Sequence, residues 1–488
     1  AFCHALIHEG IYASLLQAPR AALHARCAHW FAGRDAVLRA HHLLCAGHDE
    51  APDAASRAAR ELIDRYQFGE ALVLLDAALA AATRAPMRFD LLILRATACM
   101  KRGDVAASVL ACEEAARSAP DRRGRCDALI ELALGLNTLE RVADAEDALD
   151  EAGAIAAQLD LPVQASRVHH LRGNFHFPRG DAAFCHEQHR LALQHARRAG
   201  NAELEARACS GLGDAAYAQG RMYSAYTHFS DCLALCRAHE LLHVQAANLF
   251  MLGTVRIYQN ENLLALDNAE QSVALAGRVG HRRAQVVSHL TAGWVLLDLL
   301  ELDRAALHIE QGLALAAEIG ALRFVPFLRE SLARLQHLRG EQDAARASIA
   351  LACDEVASLG LRAFIGPWLQ GTRALLAATT QERDHSLRQG EAWLDEGCIG
   401  HNHFRFAAAA IEATLAVGDT DEALRHSRRL AEYTHDEPTP WSRLHIESAE
   451  AAAEPVAAAR SRRLARLADT AAAAGLRAML PRLQRTAG

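Results

Sequence analysis

Apolar residues recur at helical spacing along nearly the whole chain, and glycine interrupts them at even intervals. Ala276 and Val279 precede Gly280, Ala316 and Ile319 precede Gly320, and Val356 and Leu359 precede Gly360. A glycine just past a helix end takes the left-handed backbone conformation that a Cβ penalises. Gly200, Gly280, Gly320, Gly360 and Gly400 are therefore predicted helix stops in one register.

A second marker shares the period. Ala225, Ala265, Ala305, Ala345 and Ala423 each place a small residue early in a helix, where that helix crosses its predecessor; upstream the series reads Cys185, Ala145, Ser108 and Ala71. Successive markers lie 37 residues apart from Ala71 to Ala145 and 40 apart from Ala145 to Ala345, with Arg383 the misfit before Ala423. The turn dipeptides Gly103-Asp104, Gly180-Asp181, Gly340-Glu341 and Gly418-Asp419 precede these helices, and their acids suit a helix N-terminus. Gly213, Gly253 and Gly293 form a third series, twelve residues ahead of the alanines. A mid-helix glycine costs roughly 1 kcal/mol relative to alanine, so its repetition implies close helix contact inside each hairpin.

Three markers on one period describe a repeat that buries its apolar face only by stacking on copies of itself. The residues Leu212-Gly213, Tyr217, Ala225 and Phe229, then Leu252-Gly253, Tyr258 and Ala265, resemble the tetratricopeptide repeat in a longer, forty-residue form. The resemblance covers roughly residues 50 to 440 and is strongest from 163 to 360. It implies an all-α fold, a right-handed α-α superhelix of about ten to eleven helical hairpins. The expected organisation is residues 1–48 as a separate leading segment, 49–440 as the repeat array, and 441–488 as irregular or capping helices.

The leading segment carries Phe2, His4, Leu6, Ile7, Glu9, Tyr12, Arg20, Leu23, His24, His41 and His42 in a string that does not fit the repeat. It resembles the end of the winged-helix region that follows the ATPase module in large bacterial signal-transduction (STAND-type) ATPases, where a tetratricopeptide array comes next. That resemblance implies an upstream ATPase module in cis and an effector such as an adenylate or guanylate cyclase domain. The alternative it leaves open is the regulatory region of an ATP-dependent transcriptional activator whose DNA-binding module lies elsewhere.

Composition narrows the function. The chain has 488 residues, a formal net charge of −7 and interspersed charges of both signs, so no basic stripe offers a footprint for nucleic-acid phosphates. The apolar stretches at 71–82 and 292–300 are short and are interrupted by Asp76 and Asp298, which argues against a membrane span. Twelve cysteines without paired CxxC spacing suit a reduced, cytoplasmic setting. The single lysine, Lys101, follows no phosphate-binding glycine loop, and no metalloprotease, nucleophile-elbow, dinucleotide or calcium motif occurs. No catalytic residue and no cofactor is expected.

His169, His170, His176, Cys185, His186, His189 and His195 crowd one unit, and Cys185 and His189 share a helix face. Both also occupy inward positions of the repeat, so packing explains them better than a metal ion. What remains is a groove. In such an array the first helices of successive hairpins line the concave side, where a protein or peptide partner is expected. The register projects Arg167, His170, Asn174 and Phe177 onto that side in one unit, then Arg207, Ser210, Asp214 and Tyr217, then Phe250 and Thr254, then Leu290 and Trp294. Aromatic anchors among hydrogen-bonding groups are typical of protein interfaces.

Overall fold

The computed structural model describes residues 12–82 and 84–485; Phe2, His4, Leu6, Ile7 and Glu9 of the leading segment lie outside them. The chain is all-α, with no strand among the described residues, and its helices from Ala51 to Ala473 pair into eleven hairpins stacked as a right-handed α-α superhelix. Two further helices, Gln17–Phe31 and Ala36–Ala46, precede them. The last hairpin, Pro440–Ala452 with Ala457–Ala473, has ordinary length although it lies in the alanine-rich end. The chain divides into two compact units, residues 1–168 and 169–488.

The predicted markers hold at atomic level. Ala71, Cys185, Ala225, Ala265, Ala305, Ala345 and Ala423 are all fully buried. A Cβ on Gly213 would come within 2.5 Å of the Phe229 ring, and one on Gly253 within 2.8 Å of the Ala265 carbonyl, so these glycines do let paired helices touch. Arg383, the misfit, is nearly buried, and its guanidinium turns back to Asp384 at 2.8 Å. Asp104, Asp181 and Asp419 cap the following helices by accepting from Ala107, Phe184 and Glu422 N–H groups. Glu341 occupies the same place without a side-chain cap bond.

The turns show a finer period than the sequence does. A residue with positive φ recurs every twenty positions from Glu140 through Asp160, Gly180, Gly200, Gly220, Glu240, Asn260, Gly280, Leu300, Gly320 and Gly340 to Gly360. Both turns of each hairpin thus close alike, as where His281 N–H reaches back to the Ala276 carbonyl at 2.8 Å. Non-glycine residues at five of these twelve positions hid the series from the sequence pattern. Gly400 corrects it at the other end. It is no helix stop: its φ is −52°, and it begins the helix His401–Leu415.

Within the second unit the superhelix turns tightly enough for hairpins five apart to meet. The helix Leu242–Tyr258 touches Pro440–Ala452, and the helix Arg362–Leu375 touches the turn Phe177–Arg179. Gly400 N–H donates to the Ala218 carbonyl at 2.8 Å, an approach so close that a Cβ there would lie 2.4 Å from the Gly220 nitrogen. Aromatic rings fill the interior: Trp294 lies 5.0 Å from Trp368, Tyr258 4.8 Å from Phe404 and 5.5 Å from Trp441. Each ring contributes roughly 4–6 kcal/mol at ~25 cal/mol per Å² over the ~150–250 Å² an aromatic buries, as an upper bound.

Candidate functional site

The residues projected onto the concave side fall into three groups. Arg167 belongs to the first unit, where it is half-buried and spans Asp127 at 3.8 Å and Glu131 at 2.5 Å. All the others belong to the second.

Tyr217, Phe250, Thr254, Leu290 and Trp294 are buried, which corrects the expectation that they face an open groove. Thr254 Oγ1 lies 2.9 Å from the Phe250 carbonyl, to which it donates, and 3.1 Å from Thr291 Oγ1. Tyr217 lies 5.5 Å from His401 with the rings tilted, and Trp294 lies beside Phe327, Trp368 and the Arg405 guanidinium. The physical reason is the tight turn of the superhelix: helices from residue 362 onward fold into the space that an open array would leave to a partner.

The third group keeps contact with water. Asn174 is exposed and hydrogen-bonds His170 at 3.0 Å; Arg207 is exposed and pairs with Glu203 at 2.8 Å. Ser210, Asp214 and the half-buried Phe177 lie at the margin of the core, with Phe177 6.3 Å from Phe364. Around Asp214 the wall displaces water and pushes its carboxyl up to about 7, against the attraction of Arg283. Arg283 is exposed, yet the surrounding chain desolvates its guanidinium and lowers its pKa. Its guanidinium stands 5.4 Å from the Phe324 ring, and Arg323 stands 4.8 Å from the same ring.

His281 and Arg283 open one first helix, and Arg323 lies at the start of the next. His281 feels His243, Arg283 and Arg207, and burial with these neighbours brings its imidazole down to about 4. Arg283 and Arg323 were not foreseen, because each is a single residue in an unremarkable helix start and only the stacking of hairpins lines them up.

The histidine-rich unit is built for packing. Cys185 Sγ donates to the Gly173 carbonyl at 3.2 Å, and burial pushes its thiol up to about 12. His169 meets Gln188 at 2.8 Å and stacks on His195. Among the described residues no three His, Cys, Asp or Glu side chains are grouped to hold a metal ion. Nor is any described helix long and apolar enough to cross a membrane.

Comparison with solved structures decides the fold. A Rap conjugation gene regulator of plasmid pLS20, solved with its Phr peptide, superposes with a TM-score of 0.50 over 67% of this chain and 95% of its own, at 12% identity. The architecture is that of a tetratricopeptide-repeat array. Weaker similarity links it to a STAND protein with a tetratricopeptide sensor from Pyrococcus horikoshii, at 13% identity and a TM-score of 0.46 over 72% of this chain. The chain spans 54% of that protein's length. A Rap protein complexed with competence and sporulation factor gives 0.47 at 10% identity, over 71% of this chain and 98% of its own. No protein-family description matches the sequence, and no curated protein is similar to it.

Proposed function

We propose that this tetratricopeptide array is a protein- or peptide-binding sensor or scaffold arm, non-catalytic in itself, and that its second unit holds an acidic or hydrogen-bonding segment along the strip of Arg207, His281, Arg283 and Arg323. The observation that carries this reading is the pair Arg283 and Arg323 on the Phe324 ring: two guanidinium groups held within 5.4 Å and 4.8 Å of one aromatic ring. Preorganised guanidinium groups lose little entropy on meeting a carboxylate, which is what a binding surface needs. Asn174, Ser210 and Asp214 supply further hydrogen-bonding groups beside it. The peptide bound by the pLS20 regulator, which shares the fold, is consistent with this use of the scaffold.

The finer part of the proposal is a cytoplasmic bacterial signalling ATPase, cyclase-linked or similar, to which this arm is joined. It is supported by the order of residues in the leading segment. Partner binding would bias the ATPase by a coupling of about 1–3 kcal/mol.

The test is selection of peptides from a displayed library on the full chain. Acidic sequences should be enriched, and the double variant Arg283→Ala, Arg323→Ala should lose at least tenfold in affinity while its helical circular dichroism is unchanged. Retention of binding by the folded double variant would reject this face.

A further inference from the structure

A second polar site lies in the interior of the second unit, where the superhelix closes. It is a cavity of about 90 Å³, open to solvent on one side, between the helices Arg282–Asp298, Val325–Leu338, Arg362–Leu375, His401–Leu415 and Pro440–Ala452. Its walls carry charges of both signs that are more than nine-tenths buried: Arg405, Glu330 and Asp298.

The protein satisfies each of these only in part. Thr372 donates to Glu330 Oε1 at 2.8 Å, and Arg334 donates to Asp298 Oδ1 at 3.3 Å, but Glu330 Oε2 and Asp298 Oδ2 have no hydrogen-bond donor. Arg405 stands 5.0 Å from the Trp368 ring and 5.5 Å from the Trp441 ring, which holds its charge, while its Nε and Nη2 have no acceptor. Arg405, Arg334, Glu330 and Asp298 balance one another in charge, but each buried polar atom left without a hydrogen-bond partner still costs about 1–3 kcal/mol. What is missing is a hydrogen-bond acceptor at Arg405 and donors at Glu330 Oε2 and Asp298 Oδ2, within a space the size of a small metabolite.

We propose that this cavity binds a small zwitterion of the α-amino-acid type, its carboxylate on Arg405 and its ammonium between Glu330 and Asp298, with Trp368 and Trp441 bounding its side chain. The inference is independent of the peptide-binding reading. Because the cavity walls come from hairpins brought together by the closing turn, an occupant stabilises that closure in proportion to its affinity.

The experiment is calorimetric titration and thermal melting of the full chain with each of the common L-amino acids, with propionate and propylamine as half-ligand controls. At least one amino acid should bind with a Kd of about 1 mM or tighter and raise the melting temperature, and neither control should match it. Glu330→Gln should weaken that amino acid at least tenfold. Ala408→Leu, which fills the cavity from its wall without touching a charge, should abolish binding while keeping the protein folded. Absence of binding by every amino acid up to about 10 mM, equal binding of the controls, or full binding by Ala408→Leu each overturns the proposal and leaves the charges to ordered water.

Discussion

Glu437 caps the helix that begins beside Ser224. Its Oε2 accepts from the Ser224 N–H at 3.2 Å and from the Tyr223 N–H at 3.1 Å, and the Ser224 hydroxyl donates to its other oxygen. A helix N-terminus that would ordinarily be capped by its own N-cap residue is closed here by a side chain more than two hundred positions later. With the Gly400 to Ala218 bond, it fastens one end of the second unit's superhelical turn to the other.

Removing that fastening should be measurable. Glu437→Ala is expected to cost about 1 kcal/mol, the ordinary value of a helix cap, in chemical denaturation. Hydrogen exchange at the Tyr223 and Ser224 amides should accelerate, while that of amides in the first unit stays unchanged.

Leu300 sits at φ 59°, in a series of turns filled mostly by glycine and otherwise by Glu, Asp or Asn. An L-residue there costs roughly 1–2 kcal/mol, offset in part by the greater unfolded-state freedom of glycine. Leu300→Gly should therefore raise stability by up to about 1 kcal/mol. Asn260→Gly, at a residue that tolerates this conformation, should change it less, and paired urea titrations would show the ordering.

The His189 ring is clasped between two glycines: a Cβ on Gly173 would lie 2.4 Å from its Nε2, and one on Gly211 2.1 Å from its Nδ1. Moving away from one drives the ring into the other. Gly211→Ala should lose about 1–3 kcal/mol by overpacking. The double variant Gly211→Ala, His189→Ala should recover part of that loss, since the clash goes with the ring; a loss that persists in full would point to a different cause.

Acid should weaken the second unit. Burial lowers His401 to about 3, and His289 and His426 to about 4, against an ordinary value of 6.5. These groups take up protons in the unfolded chain before they do so in the folded one. Their contribution is present above pH 6.5 and is lost as pH falls toward about 4. Asp214 acts in the opposite sense between its ordinary 3.8 and about 7, because its folded carboxyl holds its proton longer. Three histidines outweigh one aspartate, so urea midpoints should fall from pH 7.5 to pH 5.

Trp294 and Arg207, projected from sequence onto the same face, should separate cleanly. Trp294→Ala removes a ring from the closed interior and should cost about 3–5 kcal/mol. Arg207→Ala removes an exposed arm with one ion-pair partner and should change stability by no more than about 0.5 kcal/mol. Thermal melts of the two variants check this directly.

What the sequence by itself determined was everything written in local interactions. Helix stops at Gly280, Gly320 and Gly360, caps at Asp104, Asp181 and Asp419, and the small residues from Ala71 to Ala423 act within one hairpin, so each leaves a mark within a few tens of residues. Even there, Glu240 and Leu300 took a glycine's place and hid the twenty-residue period, and Gly400 kept the spacing while changing its role. Only the tertiary structure decided which face of the repeat is interior. Each stacked hairpin adds a small rotation; the sum over five hairpins brings Gly400 to Ala218, and over three it brings Arg405 to Trp294, contacts that no local pattern encodes. The same sum turned the projected aromatics into core and gathered Asp298, Glu330 and Arg405 around one cavity. In the sequence, Asp298 stood out only as a break in an apolar run.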